Sequence, residues 1–428
     1  MRIRDPIHGT ISVTAEETTV IDSRFYQRLR NIRQLGFGEL AFPGATHTRH
    51  AHSLGAMHVA SRLFDAVAAG AKLSAATRDR FRAAVRMAVL CHDLGHMPFS
   101  HASERIAPLK TRLNLPAWFD DGEGEQATHE DFTAKILLDS SLTDLLTKAL
   151  SAHALTAGHI ASLVTGREPP GQTPFVEGNV DWSPLLRGLV SGELDADRMD
   201  YLLRDSFYTG VNYGRYDFEW IVQNLNAAER GGKMVLALSR AAAFAFEDFL
   251  LSRFHMFLSV YFHHTSVSFD HMLKRYYEDA PGEFEIPADP EAFLLCDDVE
   301  LNHVLRRSKN VWAERIVTRR GFKRVAEFTE RDAGYDLKAI AAVLAKAGIE
   351  HFSVESRGVL SKYFQDGKGP SLFVLDVSSG RLTSVADYTP LYQRYASAVL
   401  LSRVYVRPDQ ADAARPLVAK LTAGAVDE

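Results

Sequence analysis

Three histidines and a carboxylate crowd into one short stretch, Cys91-His92-Asp93-Leu94-Gly95-His96-Met97-Pro98-Phe99-Ser100-His101. Imidazole nitrogen together with carboxylate oxygen suits a borderline to hard divalent ion. His92 and Asp93 can both face one ion at a helix end, and His96 lies one turn beyond His92 on the same face. Any one of these histidines alone reads as well as a hydrogen-bonded core residue, and it is their clustering that points to chemistry. Two distant segments offer to complete the site: HTRHAHSLG, with His47, Arg49, His50 and His52, and SGELDADRMDYLLRD, with Asp195, Asp197, Asp200 and Asp205. Acidic residues at a helix start also serve as caps, so spacing leaves the choice among these aspartates open.

These residues need helices to hold them. Apolar residues recur at three- and four-residue spacings over 23–35, 52–71, 76–92, 129–139 and 142–154, and again around 185–226 and 241–278, which predicts an all-α body with a long last helix. The opening alternates apolar and polar residues from Ile3 to Val20 around Pro6, His8 and Gly9, the pattern of a short β-hairpin. TGREPPGQTPFVEGNVDWS at 166–184 reads as a surface loop. From Pro281 the texture changes. GFKRVAEF and SLFVLDV read as strands, DLKAIAAVLAKAGI as an amphipathic helix, and RVYVRPDQADAARPLVAKL as strand, turn and helix. The expected fold is therefore mostly α, a helical core over 1–280 with a short N-terminal β-hairpin and a smaller C-terminal α+β lobe over 281–428.

Composition narrows the function classes. With 428 residues, 46% of them hydrophobic, the chain can bury a sizeable core, and a formal net charge of -5 provides no global basic field for nucleic acid. Two cysteines, Cys91 and Cys296, are too few for a disulfide framework or a thiolate zinc cluster. MRIRDPIHGTI has no apolar signal core and no later stretch has the length of a membrane helix, so the expectation is a cytoplasmic protein without a membrane partner.

The runs DPIHGTI, VIDSRFYQRLRNIRQLG, FPGATHTRHAHSLG, LCHDLGHMPFSH and LDADRMDYLLRD, five motifs in order, resemble the HD superfamily and within it the deoxynucleoside triphosphate triphosphohydrolase branch. The resemblance covers roughly residues 1–275, with RRGFK at 319–323 as a further family element. It implies His52, His92, Asp93 and Asp197 as ligands of a divalent ion, one of Mg, Mn, Fe, Ni or Zn. Such a His2Asp2 set leaves positions open for a phosphate oxygen and a water. The leaving oxygen needs a proton donor, for which His96, His101 and His129 are candidates, and the resemblance implies His101, His129 and Glu130 at the catalytic centre with Glu104 as a supporting carboxylate. Taken alone, His129 and Glu130 read as a helix N-terminus after Thr128. For the substrate it implies Arg49, Arg198 and Arg253 on the polyphosphate, and Gln34, Leu35, Tyr201, Asp205 and Tyr261 around the sugar. Phe262 stands where relatives carry a polar residue, and Arg198 where many carry lysine. Asp22, Gln27 and Arg30 match in type residues that relatives place at nucleotides bound between subunits, and the expected assembly is a homo-oligomer, dimer or tetramer.

The expected reaction is metal-dependent hydrolysis of a deoxynucleoside triphosphate to deoxynucleoside and tripolyphosphate. Two other readings keep the fold: an HD phosphomonoesterase or phosphodiesterase acting on another nucleotide, and a nucleic-acid-binding regulatory protein drawing on the basic run RRSKNVWAERIVTRRGFKR at 306–324. The three arginines favour a triphosphate, because a monoester needs fewer cations.

Overall fold

The computed structural model describes residues 1–119, 122, 124–169, 171, 174–329, 332, 335–359, 372–391 and 398–422. The opening hairpin is shorter than the alternation suggests. Strands Arg2–Asp5 and Gly9–Ser12 pair antiparallel, and from Ala15 to Ile21 the chain is helical. The reason is local: Thr14 and Glu17 form a reciprocal capping box, and buried Arg86 bonds the Glu17 carboxylate, so helix wins over alternation.

The core is built on three helices, Arg49–Ala69, Ala75–Cys91 and Ala196–Thr209, with the first packed against both others. Arg49–Ala69 buries Leu54, Met57, Val59, Leu63, Phe64 and Val67. Its approach to Ala196–Thr209 is close enough that a Cβ at Gly55 would collide with Arg204 Nη2 and Asp200 Oδ1. Helices His129–Leu138, Ser141–Ala149 and Ala157–Thr165 pack around this group. The expected helix over 23–35 is a short helix, Arg24–Arg28, continued by a 3-10 turn at Leu29–Asn31.

Two helical expectations are corrected. The run 185–226 is three helices, Ser183–Val190, Ala196–Thr209 and Phe218–Gln223, followed by an unexpected antiparallel hairpin, Leu225–Arg230 with Lys233–Ser239, turning at Gly231 and Gly232, both at positive φ. The long helix over 241–278 is two, Ala243–Met256 and His264–Asp279, separated by a π turn at Phe257–Tyr261 and an extended His263. That break swings Tyr261 toward the site.

Beyond residue 281, strands Lys323–Thr329, His351–Val359 and Ala398–Val406 form an antiparallel sheet with Ala398–Val406 central, flanked by helices Leu337–Lys346 and Ala411–Thr422. Strand Leu372–Asp376 instead pairs parallel with Lys233–Ser239, Leu236 opposite Leu372. Ser371 of the expected strand SLFVLDV, and 170, 172 and 173 of the expected loop, lie outside the described residues. The rest of that loop carries a small two-residue pairing, Val176–Glu177 with Val180–Asp181. No helix among the described residues is long and apolar enough to cross a membrane.

Candidate active site

Four side chains meet where the three core helices converge. His52, fully buried in the first turns of Arg49–Ala69, presents Nε2 at 3.0 Å from Asp197 Oδ1 and 3.8 Å from Asp93 Oδ2. His92 follows the end of Ala75–Cys91, and its Nε2 lies 3.5 Å from Asp197 Oδ1 and 3.3 Å from Asp93 Oδ1. Both rings are fixed in orientation. His92 Nδ1 donates to the Val89 carbonyl at 2.6 Å, and His52 Nδ1 is 2.8 Å from Asp200 Oδ2, so each leaves Nε2 as the inward donor. His92 Nε2 is buried without a hydrogen bond among the described residues, and ligand atoms of His52, His92 and Asp197 lie within 4.8 Å of one another. Two imidazoles and two carboxylates so arranged fit a divalent cation.

Electrostatics agree with a cation at this point. Burial alone would strip charge from His52, yet its bonds to Asp197 and Asp200 raise its pKa to about 10. Burial likewise opposes ionisation of Asp197 and Asp93, but His52 and His92 hold the first, and Arg49, His92 and His96 the second, well below the usual carboxylate range. The other aspartates of the Asp-bearing helix have separate tasks. Asp195 is the N-cap and accepts the Arg198 and Gly192 N–H groups at 2.7 and 2.8 Å. Asp200 is fully buried behind His52 and accepts from His8 and Arg204 as well, while Arg204 reaches Asp5 at 2.9 Å. Asp205 binds His47 Nε2 at 2.7 Å and accepts the Tyr261 hydroxyl at 2.9 Å.

A second group stands beside the first. His96 Nε2 is 3.2 Å from Asp93 Oδ1, and its ring stacks on His129 at 4.1 Å. Glu104 Oε1 is 2.6 Å from His129 Nδ1 and 3.1 Å from His101 Nδ1. Burial opposes its charge, but those two histidines keep Glu104 far below the usual range, so it is a carboxylate that orients both rings. Burial, Arg49 and His129 together hold His96 neutral. At the start of His129–Leu138 the capping is done by Thr128 and Asp131, not by Glu130, whose side chain is exposed on the cavity wall. Gly95 lets the HD loop press onto this helix, since a Cβ there would collide with His129 O and Thr133 N.

Both groups open into a cavity of about 930 Å³, which Gln34, Leu35, Arg49, Tyr201, Asp205 and Tyr261 also line. Arg49 donates to Asp93 Oδ2 at 2.8 Å and to Ser100 Oγ at 3.0 Å. Arg198 and Arg253 are buried but off the cavity lining. Arg198 lies 3.6 Å from Glu193 and 3.5 Å from Asp195, and burial together with the Arg198 charge lowers the pKa of Arg253. The Tyr201 and Tyr261 rings meet edge to face at 6.0 Å. Sequence reasoning singled out none of His8, Ser100, Arg204 or Asp298 as part of this neighbourhood. His8 and Arg204 sit inside the DPIHG and LDADRMDYLLRD runs and were within reach of it, whereas Asp298 carried no signal.

Residues 49–204 match the HD domain model and residues 216–350 the HD-associated region. Among curated proteins, the chain is 32% identical over 355 residues to an uncharacterized protein of Methanocaldococcus jannaschii, covering 83% of this chain and 65% of that one. It is 31% identical over 244 residues to the deoxynucleoside triphosphate triphosphohydrolase SAMHD1 of Homo sapiens, covering 53% of this chain and 36% of that one. The chain thus spans less than two thirds of the length of either relative. A solved structure of a hypothetical protein from Aquifex aeolicus superimposes with a TM-score of 0.75 at 25% identity over 98% of this chain and 99% of that one. The convergence of the His-Asp cluster with these matches gives the chain an HD domain followed by an HD-associated region, and it resembles the deoxynucleoside triphosphate triphosphohydrolase branch of the HD superfamily.

Proposed function

We propose that the protein is a metal-dependent phosphohydrolase that converts deoxynucleoside triphosphates to deoxynucleoside and tripolyphosphate. The observation that carries this reading is that the His-Asp cluster and the cation Arg49 share one cavity of about 930 Å³. Arg49, Arg105 and Lys274 all line this cavity, and several cations in one cavity suit a polyanion. The resemblance to triphosphohydrolases supports the same substrate class.

His52, His92, Asp93 and Asp197 would hold the divalent ion, which when bound supplies a nucleophilic water at neutral pH and neutralises phosphate charge. The protein's own groups do the rest. Arg49, hydrogen-bonded to Asp93 and Ser100, is placed to hold the α-phosphate end of the tail. His129, oriented by Glu104 and stacked on His96, is the best-placed donor of a proton to the departing 5′ oxygen. Tyr261 and Asp205 are joined by a hydrogen bond at the cavity wall, where a ribose ring would need to fit. A homo-oligomer is part of the proposal, in keeping with the match of Asp22, Gln27 and Arg30 to subunit-bridging positions.

The test is to load the protein with each candidate metal in turn, incubate it with each deoxynucleoside triphosphate, and identify the phosphate product. Tripolyphosphate supports the reading. Pyrophosphate or orthophosphate release, or turnover of monoesters alone, would replace it with the wider HD phosphoesterase reading.

A further inference from the structure

Immediately after the HD loop, Phe99 and Ser100 both take left-handed backbone, with φ of 52° and 57°. Non-glycine residues adopt that conformation at a cost, so two in succession need something to hold them. The holder comes from far along the chain. Asp298 Oδ1 accepts the Phe99 N–H at 2.7 Å, and Asp298 Oδ2 accepts the Arg33 N–H at 2.9 Å.

An aspartate in the first turn of a helix, here Asp298–Arg307, is ordinarily a cap. In this helix the cap is its neighbour. Asp297 Oδ1 accepts the Val299 and Glu300 N–H groups at 3.0 Å each, and its other oxygen accepts from Asn31 Nδ2 at 2.8 Å. Arg28 ties the same segment down by donating to the Cys296 carbonyl and, at 2.8 Å, to the His96 carbonyl. Asp298 is therefore left to reach across, 4% exposed, with one oxygen for each amide.

Both amides lead into the cavity. Ser100 takes two hydrogen bonds from Arg49 at 3.0 Å and donates to the Arg33 carbonyl at 3.2 Å, while Gln34 and Leu35, the next residues after Arg33, line the wall. We propose that Asp298 is a positioning residue for the anion-binding end of the site, its carboxylate holding the Phe99–Ser100 turn and the Arg33–Leu35 segment so that Arg49 meets a polyphosphate. This rests on the triphosphate reading above for the substrate, but not for the clamp itself. It also assigns a task to the HD-associated region, within which Asp298 lies.

Asp298→Asn is the informative variant, because an amide keeps the shape but turns an N–H donor toward one of the two backbone N–H groups. Measured at pH 8 on metal-loaded protein, amide exchange at Phe99 or Arg33 should quicken by about 10-fold or more, and affinity for inorganic tripolyphosphate should fall by about 10-fold, with metal content unchanged. On a deoxynucleoside triphosphate the loss should fall mainly on KM, and an activated small phosphoester should lose far less. Unchanged exchange overturns the clamp. Faster exchange with unchanged tripolyphosphate affinity, or equal losses on both substrates, overturns the positioning role. If Asp298→Asn does not fold, Ser100→Ala decides: it leaves both Asp298 bonds in place and cuts the link to Arg49, so tripolyphosphate affinity must fall or the proposal fails. Should no nucleotide be hydrolysed by the unmutated protein, the exchange and tripolyphosphate measurements still judge the clamp, and the failure belongs to the substrate reading.

Discussion

His52 Nδ1 lies 2.8 Å from Asp200 Oδ2, both side chains fully buried, and this single contact decides which nitrogen of His52 faces Asp197. Asp200 is itself held by Arg204 and His8, so the ligand's orientation is anchored in the N-terminal hairpin. The resemblance, which implies Asp197 as the ligand, would treat Asp200 as a residue whose removal spares the metal. The structure argues otherwise: Asp200→Ala should weaken metal affinity by about 10–100-fold, whereas Asp195→Ala, which removes a helix cap and a partner of Arg198 but no contact to His52 or His92, should retain metal. Metal content after dialysis against a graded chelator separates the two, and equal retention would remove Asp200 from the site.

His92→Ala, Asp93→Ala and Asp197→Ala should each abolish metal content and turnover together, because each removes one of four converging donors. Elemental analysis of the purified variants checks this. Full occupancy in any one of them would strike that residue from the ligand set.

Arg253→Ala should keep the metal and lose about 10–100-fold in kcat/KM on triphosphates, about 1.4–2.7 kcal/mol, with a much smaller loss on an activated small phosphoester. Arg49→Ala should show the same selectivity, with a modest further loss of metal affinity because Arg49 also bonds Asp93. A uniform loss on both substrates would mean that the arginines serve the fold alone.

Tyr261 donates to Asp205 and meets Tyr201 edge to face, so a ring added to this corner by a substrate has little room for an extra 2′-hydroxyl. Crowding and desolvating that hydroxyl costs about 1–3 kcal/mol, enough for a clear deoxynucleotide preference. Tyr261→Ala should narrow the preference without loss of metal. Equal hydrolysis of ribonucleotides and deoxynucleotides by the unmutated protein would dismiss the gate.

His271 stacks on Phe352 at 3.9 Å, joining helix His264–Asp279 to strand His351–Val359. Burial, with Lys274, Arg275 and Arg105 nearby, lowers its pKa to about 4. A histidine depressed on folding is neutral in the native state, while the unfolded chain takes up its proton near pH 6.5. The stability it contributes is therefore complete above pH 6.5 and is lost as pH falls toward 4. His271→Phe should flatten that part of the unfolding free energy profile against pH, by about 1–2 kcal/mol after allowing for its partial exposure. An unchanged acid slope would show that the ring does not titrate as described.

The clustered donors around His92 and Asp93 were legible in the sequence, amphipathic periodicity marked the helices that carry them, and the resemblance implied His52 and Asp197 as their partners. The boundaries of Arg49–Ala69, Ala75–Cys91 and His129–Leu138 fall within a few residues of that periodicity. The Leu225–Ser239 hairpin was signalled by Gly231-Gly232, since its two strands adjoin in the chain, whereas its parallel neighbour Leu372–Asp376 lies far along the sequence and could not be read there. Tertiary structure alone decided which aspartate does what. Asp195, Asp197, Asp200 and Asp205 share one short stretch of chain and point in different directions on a helix, so only the neighbours that pack there separate the helix cap, the carboxylate facing His52 Nε2, the one behind His52 and the one on the pocket wall. The same holds most strongly for Asp298, whose local pattern is that of a helix cap. Its partners, Phe99 and Arg33, are about 200 and 265 residues away in the chain, and backbone N–H groups carry no side-chain identity that a sequence could display.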